Sequence, residues 1–486
     1  MMKRRKLPFA NLLFIGLLLF LSGCAVNPVT GEQELMLLSE QEESRLGLET
    51  DRSILHQYGL YDDAELQGYM QDIGARMGRG SHRPALEWQF KVIDSPVVNA
   101  FAAPGGYIYV TRGLLAAVNN EAELAGVIGH EIGHVTARHS AQQYSNELLA
   151  QIGLGLGQSL LGDYEDVLGP VLEAGAGLLF LKFSRDDERE ADALGVEYAT
   201  RSGYDAAKMA DFFTTLQRQS ATDGDSASRL PEFFSTHPNP ANRESSVRKM
   251  AQSWQTRFPQ QSFAVERNAF LQKIDGLVYG QDPRLGFQEG DWYYLPRYRV
   301  KFPLLPDWSL EREGNNIQMT HPQQRAVTIF SIRSDSRIRD AVGSFLEATG
   351  ATIRKQQDFV TRGMETRLMA SIIDDGSERA IVMSRFYQSG ADVFAFHSMT
   401  SEADIRVLSN PMQRPAVAFG PITEQAFLDR QPQRIRVKKV ARTALLQEAL
   451  RRLQVDSALW PEIAWLNGLA LDAQVQAGQH LKVITE

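Results

Sequence analysis

The sequence predicts a multidomain α+β protein: a mainly helical domain with a small sheet, then a strand-rich α+β domain, then a short βααβ module. Three observations predict it. The 486 residues are too many for one hydrophobic core. Helical spacing of apolar residues dominates to about residue 255, where short alternating strands with Gly and Pro punctuation take over. From about residue 430 the pattern is strand, helix, turn and strand.

The chain opens with Lys3, Arg4, Arg5 and Lys6, an apolar run from Leu12 to Leu21, and then Ser22, Gly23 and Cys24. A membrane-spanning helix needs about 20 apolar residues, so this shorter run ending in small residues reads as a signal peptide over 1–23. Leu21-Ser22-Gly23-Cys24 resembles the bacterial lipobox, which implies lipidation of Cys24, the one cysteine of the chain. By resemblance to the enterobacterial sorting rule, Ala25 in place of Asp implies the outer membrane. Two or more acyl chains would hold the protein stably, since one alone is marginal. Processing removes four positive charges from a chain already at −8, and an acidic surface argues against nucleic acid as a partner.

Residues 24–38 read as a tether and 39–255 as the first domain. Its helices are expected over 39–58 and 63–79, and strands at Trp88–Ile93 and Tyr107–Thr111. The next helix starts at the N-cap Asn120, with Glu123 in the capping-box position, and its apolar pattern continues to about Gln142. A Gly- and Leu-rich stretch from Leu149 to Leu181 reads either as a buried helix pair or as a cover over a cleft. A helix from about Arg185 to Arg201 stops before Gly203. Residues 256–289 read as a linker and 290–429 as the α+β domain. Strands are expected there at 298–302, 316–320, 326–332, 366–373, 380–387 and 392–397, with a helix at 338–349. The module 430–486 has a strand at Ile435–Val440, a helix at Ala444–Arg452, and a strand after Ala477-Gly478-Gln479.

The chemistry sits in His130-Glu131-Ile132-Gly133-His134. Residues four apart share a helix face, so His130 and His134 can address one cation with the Glu131 carboxylate beside them. A catalytic zinc takes three protein ligands and leaves a position for water. An extended H-E-x-x-H-x-x-G-x-x-H pattern would need Gly at 137 and His at 140, where Ala137 and Ser140 stand. His139, one residue out of register, is expected on another face. The third ligand must come from elsewhere, and Ser184 to Asp192 offers it. Glu188 and Asp192 share a face, one able to bind metal while the other orients an imidazole. Asp186 and Asp187 suit the first helical turn, and Glu190 is expected to be solvated or structural.

With these residues the chain resembles metallopeptidase family forty-eight, of the gluzincin lineage. The matching pieces are Asn99 to Gly106, the run from His130 to Ser140, the run from Ser184 to Gly195, and Thr236-His237-Pro238 followed by Arg243. The resemblance covers roughly residues 30–255. It implies a zinc endopeptidase with one Zn2+ per chain held by His130, His134 and Glu188, and supported by Asp192. It implies Glu131 as general base, and His237 with Arg243 either as donors to the oxyanion or, in one branch, His237 as a fourth zinc ligand. It also implies that an extended substrate pairs with an edge strand, expected at Tyr107–Thr111. The 290–429 region weakly resembles the PsbP-like fold, and 430–486 resembles a degenerate LysM module, a class that commonly binds glycan.

Together these imply a lipid-anchored periplasmic endopeptidase acting on misfolded or stalled envelope proteins. The terminal module, with Ala441-Arg442-Thr443 where LysM modules have Gly-Asp-Thr, implies a structural or protein-docking role ahead of a peptidoglycan contact. Two alternatives stay open. One is a non-catalytic, metal-stabilised envelope assembly or cell-wall-binding factor; the other is a cell-wall amidase, against which the Glu188 pattern argues.

Overall fold

The computed structural model describes residues 24–146, 183–222, 232–238, 242–313, 316–334, 336–374 and 379–486. The expected signal peptide over 1–23 and the Leu149–Leu181 stretch lie outside the described residues. The chain forms two compact units, Met1–Gly280 with Gln433–Glu486, and Gln281–Pro432. Among the described residues no helix is long and apolar enough to cross a membrane.

The first unit is built on a three-stranded sheet. Gln89–Ile93 runs parallel to the central strand Tyr107–Thr111, and Ala100–Ala103 lies antiparallel on its other side. Tyr107–Thr111 was the expected edge, but it is paired on both sides. The sheet's two edges are Gln89–Ile93, whose outer backbone is taken up by the side chains of Gln67 and Gln71, and Ala100–Ala103, which is left open among the described residues and, being mostly alanine, carries little strand signal of its own.

The helix Glu121–Thr136, the site helix below, starts where Asn120 caps the Glu123 amide, and every residue from Ala122 to Thr136 is buried. A helix that is apolar all round belongs inside a core. It crosses the helix Arg185–Arg201 on a bare glycine pair: a Cβ on Gly129 would lie 2.8 Å from the Gly195 carbonyl oxygen. Any larger residue there would push the two helices, and the side chains they carry, apart. The site helix ends at Thr136 rather than near Gln142, because Arg138 takes a left-handed conformation with φ of 60°.

The segments outside 39–255 are more ordered than a tether and linker. Cys24–Val26 pairs with Gln33–Leu35 in a hairpin, and the Leu37 amide donates to Ser145 Oγ. The stretch expected as linker contains the helix Arg267–Lys273, which places Phe270, Leu271, Ile274 and Leu277 in the main core. The C-terminal strands Arg434–Lys439 and His480–Thr485 pair antiparallel around the helices Leu446–Arg452 and Trp460–Leu466. Ile435, Leu450, Ile463, Leu481 and Val483 belong to the same continuous core as the site helix.

A fully buried lysine seals this join. Lys482 donates to the carbonyls of Ala116 at 2.6 Å, Ala117 at 3.3 Å and Val118 at 2.9 Å. These are at the C-terminal end of the helix Arg112–Ala117, where unpaired carbonyls favour a cation.

The second unit is a seven-stranded antiparallel sheet with helices Ile338–Thr349 and Ile405–Ala418, and a separate four-stranded sheet. The five strands expected between 316 and 397 and the helix at 338–349 are present. Two outer strands were not foreseen, Ser309–Glu313 and Thr352–Thr361. The latter is exposed along nearly its whole length, so no apolar alternation marks it.

Candidate metal centre

The crossing of the site helix with Arg185–Arg201 brings four donors together. His130, His134, Glu188 and His237 each offer one atom, all within 4.8 Å of one another and all buried. His134 Nε2 lies 3.0 Å from His130 Nε2 and 3.4 Å from Glu188 Oε1, while His130 Nε2 is 3.6 Å from Glu188 Oε2. Two donors held 2.0–2.1 Å from one ion at the tetrahedral angle are about 3.3 Å apart, so the spacing fits a single zinc-sized cation. His237 enters from the turn after Glu232–Thr236, with Nδ1 3.2 Å from His130 Nε2 and 2.9 Å from Glu188 Oε1.

Among the described residues, several buried atoms have no hydrogen-bond partner: both oxygens of Glu131, Glu188 Oε2, His237 Nε2 and Arg243 Nη1. Leaving such atoms unpaired is costly, which is what a cluster shaped around an ion and a substrate would show. Burial pushes the Glu131 carboxyl up, opposed by His237 and His130. Burial would raise Glu188 too, but the facing His237 and His130 hold it below the usual carboxylate range. Burial likewise lowers His134, whereas in His237 it is outweighed by Glu188 and Glu131, and that ring is raised.

All seven predicted residues of the first domain thus meet in one place. Asp192 Oδ1 sits 3.0 Å from His130 Nδ1 and orients that ring. Arg243 clamps Asp192 through two N–H groups at 2.8 and 2.7 Å, reaches within 3.2 Å of Glu188, and lies over the Phe213 ring. Cys24 stands apart, at the start of the N-terminal hairpin.

Other contributors were not foreseen. Phe183 stacks on His134 at 4.0 Å between centroids and Phe233 stacks on His237 at 4.7 Å. His139 is buried against His134, with Nδ1 atoms 2.9 Å apart, and Glu190 stands behind it at 3.4 Å.

Residues 64–251, which hold this cluster, match Peptidase family M48. The chain is 31% identical over 232 residues to the Beta-barrel assembly-enhancing protease of Yersinia pestis, covering 46% of this chain and 47% of that one. It is 34% identical over 185 residues to the Mitochondrial metalloendopeptidase OMA1 of Arabidopsis thaliana, covering 38% and 36%. The chain spans about half the length of the first of these relatives. Among solved structures it aligns with a cyanobacterial PsbP from Synechocystis at a TM-score of 0.24 and 12% identity, over 28% of this chain and 98% of that one. M48 metallopeptidases are zinc-dependent, and the donor set within residues 64–251 fits that ion.

Proposed function

We propose that this chain is a zinc-dependent endopeptidase, lipid-anchored in the periplasm at the outer membrane, that hydrolyses misfolded or stalled envelope proteins. The single observation that carries the enzymatic reading is Glu131, fully buried beside the four donors, with neither oxygen hydrogen-bonded among the described residues and the His237 ring 3.6 Å from one of them. A metal scaffold has no use for a buried carboxylate left without hydrogen bonds there, and it would cost stability.

His130, His134 and Glu188 would hold the ion. When bound, zinc supplies an acidified water and polarises the scissile carbonyl. Glu131 takes the proton of the attacking water and passes it to the leaving amine; its raised proton affinity suits both tasks. The free edge of Ala100–Ala103 receives the extended substrate backbone, and its alanines leave room for varied side chains. Main-chain pairing of that kind suits unfolded polypeptide. The address rests on the lipobox-like residues ending at Cys24, and the substrate class is in keeping with the name of the assembly-enhancing relatives.

His237 supports the metal-scaffold alternative to one extent: with its Nδ1 among the donors the site has four protein ligands, the pattern of a closed structural site. In the enzymatic reading it closes the position in the resting state. Casein cleavage and zinc content decide between these. Glu131→Gln is expected to keep zinc and lose about 100- to 10,000-fold in rate. Retained cleavage by that variant would sink the endopeptidase reading. His237→Ala is expected to raise the rate; a fall assigns the ring to the oxyanion instead.

For the segment 433–486 we favour an internal bracing role over peptidoglycan binding, because part of its surface is committed to the peptidase unit. Trp465 Nε1 donates to the Thr215 carbonyl and Arg218 to the Gly468 carbonyl.

A further inference from the structure

The metal ligand His130 is oriented directly by a carboxylate. His134 is not. Its Nδ1 faces the Nδ1 of His139 at 2.9 Å, and His139 Nε2 faces Glu190 Oε2 at 3.4 Å and Asp187 Oδ1 at 4.0 Å. His139 is 3% exposed, meets His134 edge-on at 72°, and leaves the other side of the His134 ring to Phe183.

We propose that His139 is a positioning residue: together with Glu190 it fixes the tautomer and orientation of His134, so that this ligand is held through an interposed histidine. The inference rests on the metal-binding reading of the site. A neutral His134 can offer Nε2 to a cation only if its proton is on Nδ1, and that N–H must then be accepted. The acceptor in reach is His139 Nδ1, which has a lone pair only when the His139 proton sits on Nε2. Glu190 Oε2 is placed to accept that proton. In the opposite tautomer of His139 two N–H groups would face each other at 2.9 Å. One arrangement of protons satisfies all three side chains, and it is the one that frees His134 Nε2.

The backbone is arranged for this contact. Arg138 adopts φ of 60°, which ends the site helix and turns His139 back toward His134. A left-handed conformation is strained for a non-glycine residue. Arg138 is held in it by Glu43 Oε1 at 3.1 Å and by the Leu38 carbonyl at 2.8 Å.

The test is zinc affinity of the full chain by chelator competition, with the visible spectrum of the cobalt-substituted protein as a second readout. His139→Leu fills the space but offers no acceptor, and is expected to weaken zinc binding about 10- to 100-fold and alter the cobalt bands. His139→Asn places Oδ1 where Nδ1 was, and is expected to restore affinity to within a few-fold. Glu190→Ala should fall between them. Wild-type affinity in His139→Leu, or equal impairment of the Leu and Asn variants, would overturn the proposal and leave His139 as packing. A wild-type chain that binds no zinc overturns the metal-binding reading itself, and is told apart because every variant then behaves as the parent does.

Discussion

The two regions after residue 280 solve the problem of burial in opposite ways. Gln281–Pro432 keeps its own cores, the largest formed by aromatics such as Phe302, Phe330, Phe394, Phe396 and Phe419. Gln433–Glu486 instead inserts its apolar side chains, and one lysine, into the core of the peptidase unit. The difference teaches that position along the chain does not set dependence: the later segment belongs to the first unit, while the earlier one interrupts it. The interruption is clean. Tyr279 N donates to the Gln433 carbonyl at 2.7 Å and Ile435 N to the Leu277 carbonyl at 2.8 Å, so the two ends of the insertion meet on adjacent strands.

Deleting one region and then the other is the strongest way to break this comparison. Each buried Leu, Ile or Val of the terminal segment contributes about 1.5–3 kcal/mol, and a whole domain has only about 5–15 kcal/mol to lose. A chain ending at Pro432 is therefore expected to lose cooperative unfolding and casein cleavage. A chain with Gly280 joined to Gln433 by a short Gly linker is expected to keep both. The melting curves check this, and a truncated chain that melts as sharply as the parent would refute the shared-core account.

A smaller effect is expected from the join alone. Burial pulls the Lys482 ammonium well below its usual range and pushes Glu123, which caps the start of the site helix, up to about 7, each opposed by the charge of the other. Lys482→Met leaves three buried carbonyls without their donor and leaves Arg267 as the cation facing Glu123, at a cost of about 1–3 kcal/mol in urea unfolding. Adding Glu123→Gln should recover part of that loss; strict additivity would show that the two do not interact.

Acid separates the units more gently. His397, half-buried between Phe345 and Phe386, is lowered to about 4 by burial and then by Arg333. A histidine of lowered pKa stabilises the folded state above its unfolded value near 6.5 and loses that contribution as pH falls toward 4. The 281–432 unit should lose up to about 3 kcal/mol over that window, and His397→Phe should flatten the dependence. An unchanged pH profile in that variant would assign the acid loss elsewhere.

Much of the centre was legible because helical geometry makes spacing meaningful. His130 with His134, and Glu188 with Asp192, are pairs four apart on unbroken helices, and the structure puts each pair on one face. His139 was misplaced because the same rule was carried past Thr136, where Arg138 breaks the helix. Glu190, expected as solvated or structural, takes the structural place beside His139. The free edge strand escaped notice because Ala100–Ala103 is mostly alanine, whose strand preference is weak. The merging of 433–486 with the peptidase unit was invisible for another reason: apolar periodicity says that a face is buried, not against what.

One consequence of the Lys482 join concerns time. A chain synthesised from its N-terminus presents Glu121–Thr136 long before His480–Thr485 exists, and domains fold only when all their parts are at hand. The strand that closes this unit is made long after the helix that carries His130, Glu131 and His134. A proteolytic site of the proposed kind, built in this way, stays unassembled while its own chain is still a nascent, unfolded polypeptide.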